Sequence, residues 1–141
     1  MQKILTFPLL VILVSVSCDL VEQAEKEIVD ISGKVSDEEQ AVEGAIVLLM
    51  ESTNVADGLN LANGSITDNR GNYIILNVDP GSYYILAVKD QNNNLEFDAD
   101  TDQLGFYGVD PGASDLTPDK IKVAKEDLED IDITDLYSLP Q

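Results

Sequence analysis

The sequence predicts an all-β protein in which short strands form a β-sandwich. Two observations lead to this fold class: several short runs are rich in β-branched and aromatic residues, and clusters of Gly, Pro, Asn and Asp separate them. A third is the lack of any long helical pattern after the N-terminal region. Together these features favour two stacked layers of extended chain that bury aliphatic side chains between them.

The N-terminal residues 1–17 are predicted to be a secretory signal peptide. Lys3 precedes an apolar run of 13 residues from Ile4 to Val16. This run is shorter than the roughly 20 residues that span a bilayer as a helix, so it fits a signal sequence instead. The letters SVSC, which end at Cys18, resemble a bacterial lipobox, although Ser15 stands where that family prefers leucine. The alternative is an ordinary signal peptide with a chance cysteine.

The lipobox resemblance implies that the chain is cut before Cys18 and that this cysteine carries lipid. Several acyl chains on one residue anchor a protein firmly, since each buried CH₂ adds about 0.8 kcal/mol. We therefore expect a lipid-anchored protein of the bacterial cell envelope, in the periplasm or on an outer-membrane leaflet, with the membrane as its partner through Cys18. Residues 18–29 are expected to form an acidic tether, and residues 30–137 the folded domain.

Charge and composition narrow the function classes. The chain has 27 acidic residues, 8 basic residues and a formal net charge of −19. Such a surface repels nucleic acid, so no nucleic-acid partner is expected, whereas a cation or a basic partner suits it. The chain has no histidine, which removes Ser-His-Asp and Cys-His catalysis and the usual zinc sites. We expect no enzymatic activity and no cofactor apart from calcium.

The first half of the domain contains two clear strand patterns. The stretch IVDISGKVS, from Ile28, predicts a first strand. The continuous apolar run AIVLLMEST, residues 45–53, predicts a strand buried on both faces. The polar stretch VADGLNLANG that follows is expected to be a loop around a short edge strand.

The middle of the chain predicts a hairpin. NYIILNV and SYYILAV are strand-like and are joined by Asp79-Pro80-Gly81-Ser82. Proline at the second position and glycine at the third favour a type II turn, so the two strands are expected to pair. Asp68 to Gly71 predicts another tight turn just before them.

The C-terminal stretch IKVAKEDLEDIDITDLY, residues 121–137, supports two interpretations. Ile121 alternates with Val123, and Ile131 with Ile133, which favours two short strands. Ile121, Ala124 and Leu128 also share the spacing of one helical face. We favour strands.

A motif in the middle of the chain has a family resemblance. The spacing T-D-x-x-G-x-Y followed by V-x-P-G-x-Y is occupied by Thr67, Asp68, Gly71, Tyr73, Val78, Pro80, Gly81 and Tyr83. It resembles the carboxypeptidase regulatory-like domain, which implies a seven-stranded Greek-key sandwich of the transthyretin (prealbumin) type. The resemblance also implies a non-catalytic envelope lipoprotein with a structural or interaction role. We interpret the motif residues as specifying the fold.

The acidic stretch after the second of these strands is the candidate metal site. Oxygen-bearing side chains recur in it at Asp90, Asn92, Asn94, Asp98 and Asp102. Calcium takes six to eight such oxygens, and the start is similar to an EF-hand loop. Leu95 and Thr101 replace the turn glycine and the bidentate glutamate of that loop. The alternative is a solvated turn, because Asn and Asp favour turns in any case.

Two adjacent aromatic residues, Phe106 and Tyr107, follow this stretch between glycines. They predict either a cap on the end of the sandwich or a platform for stacking a glycan or peptide. The alternative function is therefore a calcium-stabilised adhesion module, or a glycan- or peptide-binding module, that uses residues 90–108. An envelope protein or a glycan is the possible partner in either case.

Overall fold

The structure, a computed structural model, describes residues 28–55 and 63–139. The predicted signal peptide, the lipidation at Cys18 and the tether up to residue 27 lie outside the described residues. The all-β prediction is confirmed, since the described part contains strands and short 3-10 turns but no α-helix. The strands are β1 (Val29–Lys34), β2 (Ser36–Asp37), β3 (Gln40–Ala41), β4 (Ile46–Met50), β5 (Gly64–Ile66), β6 (Asn72–Val78), β7 (Gly81–Lys89), β8 (Gln103–Phe106) and β9 (Ile121–Val123).

The strands form a small sheet and a large one. In the small sheet β1 pairs with β6, and in the large sheet the order is β5-β4-β7-β8, with β9 also paired to β7. All of these pairings are antiparallel. The hairpin of β2 and β3 stands apart from both sheets.

The main hydrophobic core lies where the two sheets face each other. Ile31 and Ile75 come from the small sheet, and Val47 and Ile85 from the large one. Each of these four side chains is at most 2% exposed. Burying such a side chain contributes about 1.5–3 kcal/mol relative to leaving it in water, so this contact accounts for much of the stability.

A second hydrophobic cluster covers the outer face of the large sheet. It contains Leu86 and Val88 of β7 and Leu104 and Phe106 of β8, all buried. Because β7 contributes four consecutive buried residues, it is buried on both faces. β4 also begins with three buried residues, as its continuous apolar run predicts.

The C-terminal segment, residues 127–137, connects the two sheets without forming a long strand. Leu128 makes an isolated parallel bridge to Ile31 of β1, and Ile133 makes one to Val35, just after β1. Tyr137 makes an antiparallel bridge to Leu104 of β8. The interpretation of residues 121–137 as two short strands is correct for β9 and wrong for residues 131–133, which have a single bridge at Ile133 and form no strand. The segment thus forms hydrogen bonds with backbone groups along an edge of each sheet.

The predicted hairpin between β6 and β7 is wrong. β6 pairs with β1 in the small sheet, whereas β7 pairs with β4, β8 and β9 in the large sheet. The connection at Asp79 and Pro80 therefore carries the chain from one sheet to the other. In the large sheet β7 is buried on both faces, because Ile85 and Ala87 join the main core and Leu86 and Val88 join a cluster on the opposite face.

The predicted type II turn at Pro80-Gly81 is also wrong. A type II turn needs a positive φ at Gly81, and Gly81 is not among the positive-φ residues. It begins β7 and pairs with Val123. A Cβ on Gly81 would overlap the ring of Tyr83, so its lack of a side chain serves packing.

Candidate functional site

The motif residues Thr67 and Asp68 use their side chains to fix the backbone before β6. Thr67 is 4% exposed, and its Oγ1 donates to Val42 O (2.6 Å) and accepts from Ala45 N (2.8 Å). Asp68 accepts from the backbone N–H groups of Arg70 and Asn72 at 2.8 and 2.9 Å. These hydrogen bonds, with that from Asn72 the strongest influence, lower the pKa of Asp68.

The tight turn predicted at residues 68–71 is confirmed. Gly71 N donates to Asp68 O at 2.9 Å, and Gly71 has a φ of +79°. A side chain there would be strained, and its Cβ would overlap Val35 O as well. The turn therefore requires glycine for two separate reasons.

Tyr73 and Tyr83 place their rings against the core and their hydroxyls on backbone carbonyls. Tyr73 donates to Ile131 O at 2.5 Å, and Tyr83 donates to Asp79 O at 3.1 Å. Burial, reinforced by the charge of Asp132, raises the pKa of Tyr73 well above its ordinary value. Burial also raises the pKa of Tyr137. Both motif tyrosines thus use their hydroxyls for hydrogen bonds that hold the fold together.

Three of the five predicted calcium ligands meet in the acidic loop. The side-chain amides of Asn92 and Asn94 both donate to Asp98 Oδ2, at 2.7 and 2.8 Å. The Oδ1 atoms of Asn92 and Asn94 accept backbone N–H groups of the same loop, at 3.1 and 2.8 Å. One carboxylate and two amides therefore lie within reach of a common point.

The other two predicted ligands, Asp90 and Asp102, bind the backbone of the loop. Asp90 accepts from the N–H groups of Asn93 (2.7 Å) and Leu95 (2.8 Å) through its two carboxylate oxygens. Asp102 is 1% exposed and accepts from Gln91 N at 3.0 Å and from Asp98 N at 2.9 Å. Asp102 is thus a buried residue that links the start of the loop, at Gln91, to its later part, at Asp98.

The backbone at Leu95 has the conformation of the glycine turn in an EF-hand loop, although the sequence has leucine at that position. Leu95 has a φ of +60°, in the left-handed region that glycine normally occupies at this position of a calcium loop. Asn93 is also left-handed, with a φ of +57°. Sequence reasoning missed this conformation because leucine rarely adopts it, and no local signal announces it.

The acidic loop is anchored on the second hydrophobic cluster. Phe97 from the loop packs against the cluster, in which Phe106 is 6% exposed. Tyr107, the next residue, packs instead against the main core between the sheets. The two adjacent rings therefore lie on opposite faces of the large sheet and do not form a shared stacking platform.

A basic surface that sequence reasoning did not single out lies on β9. Lys120, just before β9, places its Nζ 4.9 Å from the centre of the Tyr84 ring. Lys122, two residues further along the chain, is exposed. The signal in the sequence was the spacing K-I-K-V-A-K in a chain with only 8 basic residues. A pocket of about 530 Å³, lined by Pro80–Ser82 and Lys122–Lys125, lies beside these lysines.

Within residues 28–55 and 63–139, no three His, Cys, Asp or Glu side chains are grouped so as to hold a metal ion. The group of Asn92, Asn94 and Asp98 contains only one such acid. The same residues include no helix long and apolar enough to cross a bilayer.

Comparison with known proteins gives no relative on which to base a function. No protein-family model matches the chain, and no curated protein matches it either. The resemblance to the carboxypeptidase regulatory-like domain therefore depends on the motif residues alone.

Proposed function

We propose that this chain is a non-catalytic, lipid-anchored protein of the bacterial cell envelope whose β-domain has a structural or interaction role. The main support for this proposal is that the motif side chains form hydrogen bonds with backbone groups, as Thr67 and Tyr73 do. In the described part of the chain, every buried side-chain polar atom has a hydrogen-bond partner. The buried polar side chains there are thus engaged in hydrogen bonds that hold the fold, which supports a structural role for the motif residues.

The anchoring part of the proposal is tested by Cys18→Ser in a bacterial host. The natural chain should incorporate radiolabelled palmitate and sediment with the membrane fraction. The Cys18→Ser variant should lose the label and appear in the soluble fraction if it is still processed. A natural chain that incorporates no label would overturn the lipoprotein assignment.

At the level of fold, we propose a carboxypeptidase regulatory-like domain, that is, a seven-stranded Greek-key sandwich of the transthyretin type. The motif from Thr67 to Tyr83 supports it, and so does the passage of the chain between sheets after Val78. Greek-key sandwiches need connections of that kind. An experimental structure whose strand order differs from that family's would refute the assignment.

The interaction role has a candidate surface on β6. Ile74 and Leu76 are 48% and 57% exposed and lie two residues apart, so they share the face of β6 that points away from the core. With a net charge of −19 on the chain, the partner that fits best is an envelope protein with an apolar patch and a basic rim.

This surface is tested with photo-crosslinking residues placed in cells at Ile74 or Leu76, and at Leu116 as an exposed apolar control. One defined adduct from the first two positions, absent with Leu116 and lost from Leu76 when Ile74 is changed to Asp, would support the proposal. Equal labelling from all three positions would count against it.

Calcium stabilisation of the acidic loop is the second candidate function. The left-handed backbone at Leu95 and the meeting of Asn92, Asn94 and Asp98 support it. The Oδ1 atoms of both asparagines accept backbone N–H groups of the loop, so offering them to a cation at Asp98 requires the amides to flip and to give up these hydrogen bonds. Calcium would then order the loop and hold Phe97 on the second hydrophobic cluster.

Thermal melting with added calcium tests this candidate. Binding to the folded state alone stabilises it by RT ln(1 + [L]/Kd), about 2.7 kcal/mol at a hundred-fold excess over Kd. The shift should disappear in Asp98→Asn and persist in Glu96→Gln, which removes a neighbouring exposed charge. The same melting temperature with and without millimolar calcium would reject the candidate.

A further inference from the structure

The basic residues of this acidic chain are concentrated on one surface. Of the six basic residues in the described part, three lie within residues 120–125. Lys120 and Lys122 alternate with the buried Ile121, so both side chains lie on the solvent face of β9. The other three basic residues of the described part, Lys34, Arg70 and Lys89, are spread along the rest of the chain.

A mainly apolar pocket lies next to these lysines. It has a volume of about 530 Å³ and is lined by Pro80–Ser82 on one side and Lys122–Lys125 on the other. Pro80 and Ala124 contribute exposed apolar surface to it. An aliphatic side chain flanked by carboxylates matches this combination of an apolar floor and a basic rim.

The described chain begins beside this pocket. Val29 pairs with Val78, two residues before Pro80. Asp30 N donates to Asp127 Oδ1 at 2.9 Å, two residues after Lys125. Both walls of the pocket therefore lie close to the point at which the chain enters β1, after the exposed Ile28.

The sequence before that point complements the pocket. Residues 19–27, DLVEQAEKE, contain four acidic residues, one lysine and the aliphatic Leu20 and Val21. An extended chain covers up to about 3.3–3.6 Å per residue, so residues 22–27 reach about 20 Å from β1. We propose that this acidic segment docks on the basic pocket, with its glutamates facing Lys120 and Lys122.

Covalent linkage makes such docking favourable. A short flexible connection gives an effective concentration in the millimolar range, so weak contacts suffice. Glu126 and Asp127 follow the pocket in sequence and reduce the attraction at the Lys125 end. Lys125 also has an interaction of its own, so Lys120 and Lys122 are the cations that the proposal uses. Docking would hold an anchored domain close to its attachment point.

The test uses a spin label in the segment. All of the contacts described above lie within residues 28–139, so a chain that begins at residue 19 keeps them and carries no cysteine. Ala24→Cys then provides the only thiol for a nitroxide. We expect the label to be several-fold less mobile than in an unfolded control, and to become mobile in Lys120→Glu/Lys122→Glu.

Two controls make the outcome decisive. Lys34→Glu/Lys89→Glu changes the net charge by the same amount elsewhere and should leave the label immobile. Adding Glu22→Lys/Glu25→Lys to Lys120→Glu/Lys122→Glu should restore immobility. A mobile label in the natural sequence, or equal mobility in all variants, would overturn the docking proposal. Because the tested chain carries no lipid, its result is independent of the lipoprotein assignment.

Discussion

The hydroxyl of Tyr73 in β6 donates a hydrogen bond to the backbone carbonyl of Ile131, 58 residues further along the chain. The same carbonyl lies directly over Gly33 of β1, where a Cβ would overlap it. One peptide group of the C-terminal segment thus meets both strands of the small sheet. This contact fixes the segment that also pairs with β8 of the large sheet.

Tyr73→Phe should therefore destabilise the domain. The substitution keeps the ring in the core but leaves the Ile131 carbonyl without the hydroxyl, which typically costs about 1–2 kcal/mol. Urea unfolding measures the loss as a lower midpoint with an unchanged slope. Tyr83→Phe is the matched control, since its hydroxyl contacts a more exposed carbonyl and its removal should cost less. Equal losses in the two variants would contradict the role given to Ile131.

Stability should fall in alkaline solution because of the same tyrosine. The pKa of Tyr73 is raised in the folded state, so folding favours the protonated phenol. Its contribution is complete below the unfolded pKa of about 10 and is lost as pH rises above that value. Urea unfolding between pH 8 and about 11 should show this decline, and the decline should be shallower in Tyr73→Phe. An identical pH profile for the variant would refute the assignment.

Gly33→Ala and Gly105→Ala should both be strongly destabilising. A Cβ at Gly33 would overlap Ile131 O, and one at Gly105 would overlap Asp135 O. These obstacles are backbone atoms, so the C-terminal segment must shift, at a cost of about 1–3 kcal/mol or more. Gly112→Ala is the control, because the nearest atom there is the end of the Asp110 side chain at 3.2 Å. Thermal melting should show lower midpoints for the first two variants only.

The sequence predicted the strands better than their partners. Local patterns located β1, β4, β6 and β7, because burial on one or both faces leaves a periodic signal. The partner of β6 depended on β1, and that of β7 on β4, β8 and β9. The Pro80-Gly81 dipeptide indicated a hairpin because it is typical of short connections. The sheet that each strand joins is decided by contacts with residues far away in the sequence.

Asp102→Asn should loosen the acidic loop. The Asp102 carboxylate is 1% exposed and accepts from Gln91 N and Asp98 N through different oxygens. An asparagine side chain has one acceptor oxygen, so one partly buried N–H would face an NH₂ group, at a cost of roughly 1–3 kcal/mol. Glu96→Gln, which is exposed in the same loop, should be nearly neutral. Hydrogen exchange of the amides of residues 90–102 should quicken in the first variant alone.

The candidate calcium residues illustrate what spacing reveals and what it leaves out. Alternation identified Asn92, Asn94 and Asp98, and they do meet. It also identified Asp102, but the burial of that residue depends on its position beside β8. A one-dimensional pattern does not distinguish a carboxylate that faces a cation from one that faces backbone N–H groups, because both need the same oxygens.

Leu95→Gly should stabilise the loop even though it removes a large side chain. Leu95 has a φ of +60°, which costs an ordinary residue roughly 1–2 kcal/mol. Leu95 is 54% exposed, so removing its side chain forfeits only part of the burial of a leucine, and this loss offsets part of the gain. Glycine adds about 0.5–1 kcal/mol of chain entropy to the unfolded state, which leaves a net gain of up to about 1 kcal/mol. Glu96→Gly is the control: its φ is not positive, so only the entropic loss should appear in urea unfolding. If both variants lost stability equally, the left-handed conformation at Leu95 would not be the one adopted in solution.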